Sequence, residues 1–426
     1  MHRVREGIRL SQFISSFGVL IGLFYISPVE AQSLSLANAE ELAVRQDPSI
    51  QAVLSRRLAL GELSVAAGQL PDPMLKFGVM SLPTDTFNLG QEPMTQVQIG
   101  VVQRIPRGDS LELRAEELNE RAKALEESAS DQELQVLLSV REGFLDVIEQ
   151  RRLAKINRNA EAAFSDLEEI TQDYYATGRV AQQDVLRASV ELAKVQERAL
   201  QIAEEEDRAR ARLAAWIGEA AWRPISDDWP ILAEPATLQV ALDSLASHPR
   251  LRALHQEVIA ADTAVELAQQ SYKPEFLLDL TYGGRGGQDP DGSARPDLLT
   301  FMVMMDVPLF TRNRQDRTVA ASLAESSAAA FSRDDVYRRM RSELKMQAST
   351  LDRQLERLKL FEDSLLPEAE FNAEATFQAF QAALEDLTTL VRAQIIEFDL
   401  QLEYERLRAE SYKTRARLLY LQGATS

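Results

Sequence analysis

The chain of 426 residues has no cysteine, three histidines and three tryptophans. Without cysteine there is no disulfide framework, no thiolate metal site and no lipid on an N-terminal cysteine, so burial and assembly must hold the fold. His248 and His255, the histidines beyond residue 2, stand seven apart with no cysteine or carboxylate at ligand spacing, and read as structural. Basic charge is in deficit: 47 Lys and Arg against 66 Asp and Glu give a formal −19, which argues against nucleic acid and anionic lipid headgroups as partners. No Ser/His/Asp arrangement or paired-carboxylate signature stands out. Gly283-Gly284-Arg285-Gly286-Gly287 is glycine-rich, but no helix follows it to make a phosphate cradle. The chain is expected not to be an enzyme, with no cofactor and no resident metal.

Long apolar runs are also missing after residue 26. At the start, Arg3, Arg5 and Arg9 precede an apolar stretch from Phe13 to Ile26, and Val29-Glu30-Ala31 offers a small-x-small cleavage site. Residues 1–31 therefore read as a secretory signal peptide; against a retained anchor, the apolar stretch falls short of the ~20 residues a spanning helix needs. The segment carries three arginines and two glutamates, so its removal takes the charge from −19 to −20. Beyond it no run approaches spanning length, and any later membrane crossing has to be made by strands.

What the chain does have is one plan written twice. Met74–Met80 and Gln96–Val102 read as strands around a polar loop, and Phe276–Tyr282 and Phe301–Val307 repeat them around a loop holding Gly283-Gly284 and Gly286-Gly287. The copies close on Ile105-Pro106 and Val307-Pro308. Alternation makes one face apolar (Val97, Ile99, Val101; Phe276, Leu278, Leu280, Tyr282) and the other mixed (Gln96, Gln98, Gly100; Asp279, Thr281). Ahead of each strand pair a short helix ends at Asp47-Pro48 or His248-Pro249, and a second helix runs on to Pro73 or Pro274. The period, about two hundred residues, marks duplication of a large unit rather than a solenoid. The division is 1–31 signal peptide, 32–217 first repeat (strand pair 74–105, helical hairpin 109–217), 218–236 linker, and 237–426 second repeat (strand pair 275–308, hairpin 312–422).

Proline and glycine then nearly disappear. Between Pro106 and Pro224 there is no proline and glycine only at 108, 143, 178 and 218; between Pro308 and Gly423 the one proline is Pro367. Val185, Ala188, Leu192, Val195, Ala199 and Ile202 keep coiled-coil spacing, as do Val391, Ile395, Phe398 and Leu402. A helix over 109–173 alone would be a rod near 100 Å long. Each stretch turns near its middle: at Gly178, with Asp184 starting the next helix, and at the aligned Ala382-Ala383-Leu384-Glu385, where alanine replaces glycine.

Four strands leave two open edges, which hydrocarbon does not tolerate, and common barrels need about eight strands or more. Subunits must then pool strands, and three copies give twelve. The segments LANAEELAVRQDPSI, LPDPMLKFGV, YYATGRVAQQDVLRASVEL and LTTLVRAQIIEFDLQLEYERLRAESYKTRARLLYLQG, in this order and duplicated spacing, resemble the TolC-like outer-membrane efflux proteins over about 34–423. The run from Pro71 to Asp109 is most similar to the heavy-metal efflux branch. The resemblance implies a mainly α fold with a small β part. A duplicated strand pair plus long helical hairpin would give each protomer of a homotrimer four strands in a shared twelve-stranded β-barrel, above an α-helical periplasmic barrel. It implies an outer-membrane exit duct of a tripartite efflux system, with a periplasmic adaptor and an inner-membrane transporter of the resistance–nodulation–division type as partners, besides outer-membrane lipid.

Carried over by motif, the adaptor contacts at the periplasmic tips are Gly178, Arg179, Val180, Gln182 and Asp184, with Ala383, Leu384, Glu385 and Asp386. The candidate gate is Asp386, Thr389 and Arg392. Many members carry acids ahead of an Ala-Gln or Ala-Thr pair; before Ala393-Gln394 this chain has Thr389 and Arg392, so Asp386 or Glu385 would have to replace them. Arg392 is either a gate cation paired with an acidic neighbour or an ordinary surface arginine. Met304 and Met305, adjacent on a strand, cannot both chelate one ion, so Met302, Met304 and Met305 read as barrel packing. Glu204-Glu205-Glu206-Asp207 reads as a solvated face, or, repeated three times inside a tube, as a bias toward cations. Two other functions stay open: a type I protein-secretion duct, and a periplasmic coiled-coil scaffold without a pore, against which the apolar-faced strand pairs speak.

Overall fold

The computed structural model describes residues 33–424; the expected signal peptide lies outside them. Two helices open each half: α1 (Leu36–Gln46) and α2 (Pro48–Ala67), then α5 (Leu238–Ser244) and α6 (Pro249–Gln269). Asp47 caps α2, its Oδ1 accepting from the amides of Ser49 at 2.8 Å and Ile50 at 3.1 Å. His248 caps α6 at the matching place, Nδ1 accepting from Arg250 N at 3.2 Å. Proline follows each cap as the first helical residue, where its missing N–H leaves no bond unmade.

Strands β1 (Met74–Met80), β2 (Gln96–Ile105), β3 (Phe276–Arg285) and β4 (Leu298–Met305) form one antiparallel sheet in the order β1-β2-β3-β4. The halves therefore meet through β2 and β3, with Ile99 opposite Tyr282 and Val101 opposite Leu280. Leu75, Phe77, Val79, Val97, Ile99, Val101, Leu280, Tyr282, Leu299 and Phe301 are exposed, and pairing puts them on one face. On the other face Gln96, Asp279 and Thr281 are buried. Lys76 reaches across β2 to Asp279 Oδ2 (2.8 Å) and Thr281 Oγ1 (3.2 Å). Residue 100, between them, has to be glycine: a Cβ there would lie 2.6 Å from Thr281 Oγ1. Strand β3 runs three residues further than the alternation indicated, taking in Gly283 and Gly284, because Gln96 crosses over Gly283 where a Cβ would collide with its amide.

Helix α3 (Ser110–Ala176) has 67 residues, hence about 100 Å of length, and turns into α4 (Gln182–Ile217). Ala188, Val195, Ile202 and Ala209 are buried every seventh residue along α4, so the heptad seam faces inward as its spacing required. The second hairpin consists of α7 (Gln315–Leu360), α8 (Leu366–Gln381) and α9 (Leu387–Leu421). Between α7 and α8, Phe361–Leu365 forms a π-helical turn just ahead of Pro367. Proline cannot donate to the preceding turn, and a local widening is one way to absorb the lost bond. Nothing in the hydrophobic pattern announces that turn.

The core is threaded along the hairpins. Midway along α3, Val136, Val140, Phe144 and Ile148 pack on Ala209 and Leu213 of α4 and on Ala39 and Ala43 of α1. Far from the sheet, Phe164 and Leu167 meet Val195, Phe380, Leu387, Leu390 and Val391. The accessible surface is 27157 Å², against roughly 16,000 Å² for a compact monomer of this mass. The excess includes apolar side chains on the hairpin edges: Leu186, Val190 and Leu200 of α4, Phe331, Met346 and Leu355 of α7, and Phe371 of α8.

Candidate functional site

The two hairpin tips meet around one concavity of about 1230 Å³. Of the sequence-derived contacts, Gly178, Arg179, Val180, Asp184, Ala383, Leu384, Glu385 and Asp386 line it; Gln182 does not, and Gln183 takes its place. Thr389 and Arg392 lie outside the lining. Both turns close by the same bonds. Arg179 N donates to Tyr174 O at 2.8 Å and Gly178 N to Tyr175 O at 2.9 Å; Leu384 N donates to Ala379 O at 2.9 Å and Ala383 N to Phe380 O at 3.0 Å. This paired closure needs a left-handed residue, and Gly178 and Ala383 supply it at φ 73° and 55°.

The acids have local work. Asp184 Oδ2 accepts from Ala181 N at 3.1 Å, and Asp386 Oδ1 accepts from Thr389 N at 2.8 Å and Thr389 Oγ1 at 2.9 Å. The Thr389 amide and hydroxyl hold the Asp386 carboxyl below the usual carboxylate range. Asp386 and Thr389 are thus joined as a helix cap. Arg392 is exposed and makes no ion pair among the described residues. Sequence reasoning missed the residues that bind one tip to the other: Tyr174, whose ring lies 5.8 Å from Phe380 and under the Arg179 guanidinium at 5.3 Å, and Arg187, which donates to Thr388 Oγ1. Arg187 sits one turn after Asp184, so a helical wheel of the tip would have shown it.

Midway along the hairpins, a half-buried ionic seam joins α3 to α9, with Lys413 and Glu405 its buried members. Lys413 Nζ lies 2.6 Å from Asp146 and 2.9 Å from Glu149, Arg417 Nε 2.6 Å from Glu142, and Arg152 Nη2 2.7 Å from Glu405. Burial alone would lower the Lys413 pKa; Glu149 and Asp146 outweigh it and hold the ammonium above its ordinary value. Its sequence signal is the spacing of acids at 142, 146 and 149 on one face of α3 against bases at 413 and 417. In the acidic run at 204–207, Glu204 and Glu205 share Arg208, and Glu206 pairs with Arg210. His248 is buried, its Nε2 donating to Tyr420 O at 2.9 Å, a structural placement. Among the described residues no group of three or more His, Cys, Asp or Glu could hold a metal ion, and no helix is long and apolar enough to cross a membrane.

No protein-family model and no curated protein matches the chain. Solved structures do. The outer membrane protein VceC of Vibrio cholerae superposes with a TM-score of 0.77 at 16% identity, over 91% of this chain and 96% of VceC. The CmeC outer membrane channel of Campylobacter jejuni gives 0.75 at 9% identity, over 98% of this chain and 94% of CmeC. The open state of the MtrE outer membrane channel of Neisseria gonorrhoeae gives 0.72 at 12% identity, over 91% and 89%. The fold expected from the resemblance is the fold found: nearly end to end, this chain is built like solved outer-membrane proteins, two of them channels.

Proposed function

We propose that this protein is the outer-membrane exit duct of a tripartite efflux assembly, and a member of the TolC-like proteins its sequence resembles. One observation carries the reading: a four-stranded sheet, apolar on one face and mixed on the other, is open at both edges and continues into helical hairpins about 100 Å long. Strands β1 and β4 present unpaired backbone, and α4 and α7–α8 present unpaired apolar edges. Each pair suits the opposite edge of another copy, and a ring of three gives a twelve-stranded barrel with its apolar face toward lipid. The barrel crosses the membrane and the hairpins line a periplasmic tube. The paired tips, Gln182 included, receive the adaptor, and an inner-membrane pump of the resistance–nodulation–division type supplies the energy. Asp386, Thr389 and Arg392 form the gate, in which Arg392 takes an acidic neighbour. The cargo is small toxic solutes, metal cations among them.

The test is the size and heat-modifiability of the detergent-extracted mature protein, with single-channel conductance in a planar bilayer on the same sample. A conducting species of about three subunit masses is expected. A water-soluble monomer or dimer without conductance would overturn the duct and leave the periplasmic scaffold.

A further inference from the structure

The joints between sheet and hairpins differ between the two halves. In the first, the cations are neutralised within the protomer: Arg104 Nε lies 3.1 Å from Glu275, and Arg107 pairs with Asp306. In the second, Val307-Pro308 leads to Leu309-Phe310 and then to Arg312, Arg314 and Arg317. All three arginines are exposed, and none makes an ion pair among the described residues. The segment before them is apolar and open to solvent, with Val307, Leu309 and Phe310 exposed by 54, 73 and 80%. A chain of net charge −19 thus places three free cations within six residues, at the end of its sheet.

The apolar row explains where they lie. On β4 the outward residues are Leu299, Phe301, Val303 and Met305; past the strand's end the chain bends, Leu309 N donating to Val307 O at 2.9 Å, and leaves Val307 and Leu309 exposed. The strand alone, Leu299 to Met305, spans ~20 Å along its axis, or about 15 Å along a barrel axis at ~40° tilt, too little for the ~25 Å apolar band of a membrane barrel. Val307 and Leu309, exposed just past the strand, lengthen this apolar surface on the hairpin side of the band. Phe310 then falls at its margin, where aromatic side chains settle, and the arginines fall just beyond it, at the depth of lipid phosphates. Arg314 is the residue before α7 and Arg317 lies in its first turn beside Asp316, where the helix dipole disfavours cations and favours an anion.

We propose that residues 307–317 form a lipid-anchoring collar, in which Val307, Leu309 and Phe310 enter the membrane's hairpin-side leaflet and Arg312, Arg314 and Arg317 bind the phosphates of anionic phospholipids there. The overall acidity, which spoke against anionic headgroups, gives way to a local cationic band. The collar rests on the barrel reading, because without a membrane there is no apolar band to complete.

The test is native mass spectrometry of the full mature protein in detergent, titrated with phosphatidylglycerol or with zwitterionic phosphatidylcholine. Retention of phosphatidylglycerol is expected to exceed that of phosphatidylcholine by roughly fivefold or more, the effect of even one arginine at an anionic surface. The R312Q/R314Q/R317Q variant should fall to parity and remain trimeric, whereas Arg338→Gln, further along α7, should keep the preference. Parity in the unaltered protein, or a preference that survives in the triple variant, would overturn the collar. Loss of preference in Arg338→Gln would reduce it to diffuse charge. Dissociation of the triple variant into monomers would overturn it too, assigning the arginines to the joint between copies. Sizing before lipid is added reads the channel proposal separately: if the unaltered protein is not a trimer, that reading fails whatever the lipid result.

Discussion

The two hairpin tips reach one backbone geometry with different residues. Gly178 and Ala383 close their helices with the same two hydrogen bonds, yet one is glycine and the other carries a Cβ into the left-handed region. The acids differ as well. At the first tip Asp184, three residues inside the helix, reaches back to the amide of Ala181; at the second, Asp386 occupies the cap itself and reaches forward to Thr389. Each tip holds one half of the reciprocal pair that makes a capping box. The comparison teaches that the turn is imposed by the packing beneath it, and that its own residues adjust its stability without choosing its shape.

The sharpest way to break that equivalence is to remove the shared floor. Phe164 is 2% exposed and lies in the cluster joining α3 to Val195, Phe380 and Leu390, its ring 6.2 Å from Phe398. Phe164→Ala is expected to cost about 3–5 kcal/mol locally. Amide exchange followed residue by residue should then speed up at both tips together, at Gly178 and at Ala383. Acceleration at one tip only would show that the hairpin ends are independent and that the common cluster does not set them.

A second comparison concerns the caps of α2 and α6, where Asp47 in one half corresponds to His248 in the other. Burial pushes the His248 imidazole below its ordinary pKa, against the Tyr420 carbonyl and Asp131, which favour the charged form, while Arg250 and Arg252 oppose it. The folded state therefore holds His248 neutral while the unfolded chain takes up a proton below about pH 6.5. Stability from this site is complete above that pH and declines as pH falls toward the folded pKa, by at most about 1.4 kcal/mol per pH unit. Protonation would also turn Nδ1 from acceptor to donor and break the bond from Arg250 N. His248→Asn keeps a cap and should flatten the acid limb of a melting-temperature profile between pH 6.5 and 5; an unchanged limb would place the acid sensitivity in carboxylates.

Much of this was legible in the sequence because it repeats in period. Alternation gave the strand faces, with Val97, Ile99 and Val101 outside and Gln96 inside, and the 3-4 spacing gave the α4 seam at Ala188, Val195 and Ile202. The duplication located the second tip although glycine was absent from it. What stayed hidden depends on contacts between segments distant in the chain. The reach of Lys76 over Gly100 to Asp279 joins residues some two hundred apart, as does the Arg187–Thr388 bond. The π-helical turn at 361–365 has no hydrophobic signature, since the apolar face continues through it. For the tip site the turns could be read, but not that Asp386 and Thr389 would be tied to each other as a cap.

The smallest expected effect sharpens the tip comparison most. In the left-handed region a Cβ crowds the following carbonyl, and a non-glycine residue there costs about 1 kcal/mol. Ala383 bears this strain, and a glycine in its place would relieve it at the expense of a more flexible unfolded chain. Ala383→Gly should therefore stabilise the second tip by about 0.5–1 kcal/mol, and Gly178→Ala should destabilise the first by a similar amount. Apart from its neighbours along the chain, nothing lies within 4 Å of a Cβ built on Gly178, so the second change tests backbone strain and not a tertiary clash. Read by amide exchange at Arg179 and Leu384, the two substitutions should move the tips in opposite directions and by similar amounts. Should Ala383→Gly instead loosen its tip, the alanine methyl must be making a contact that outweighs its strain, and the two turns would be alike in shape alone.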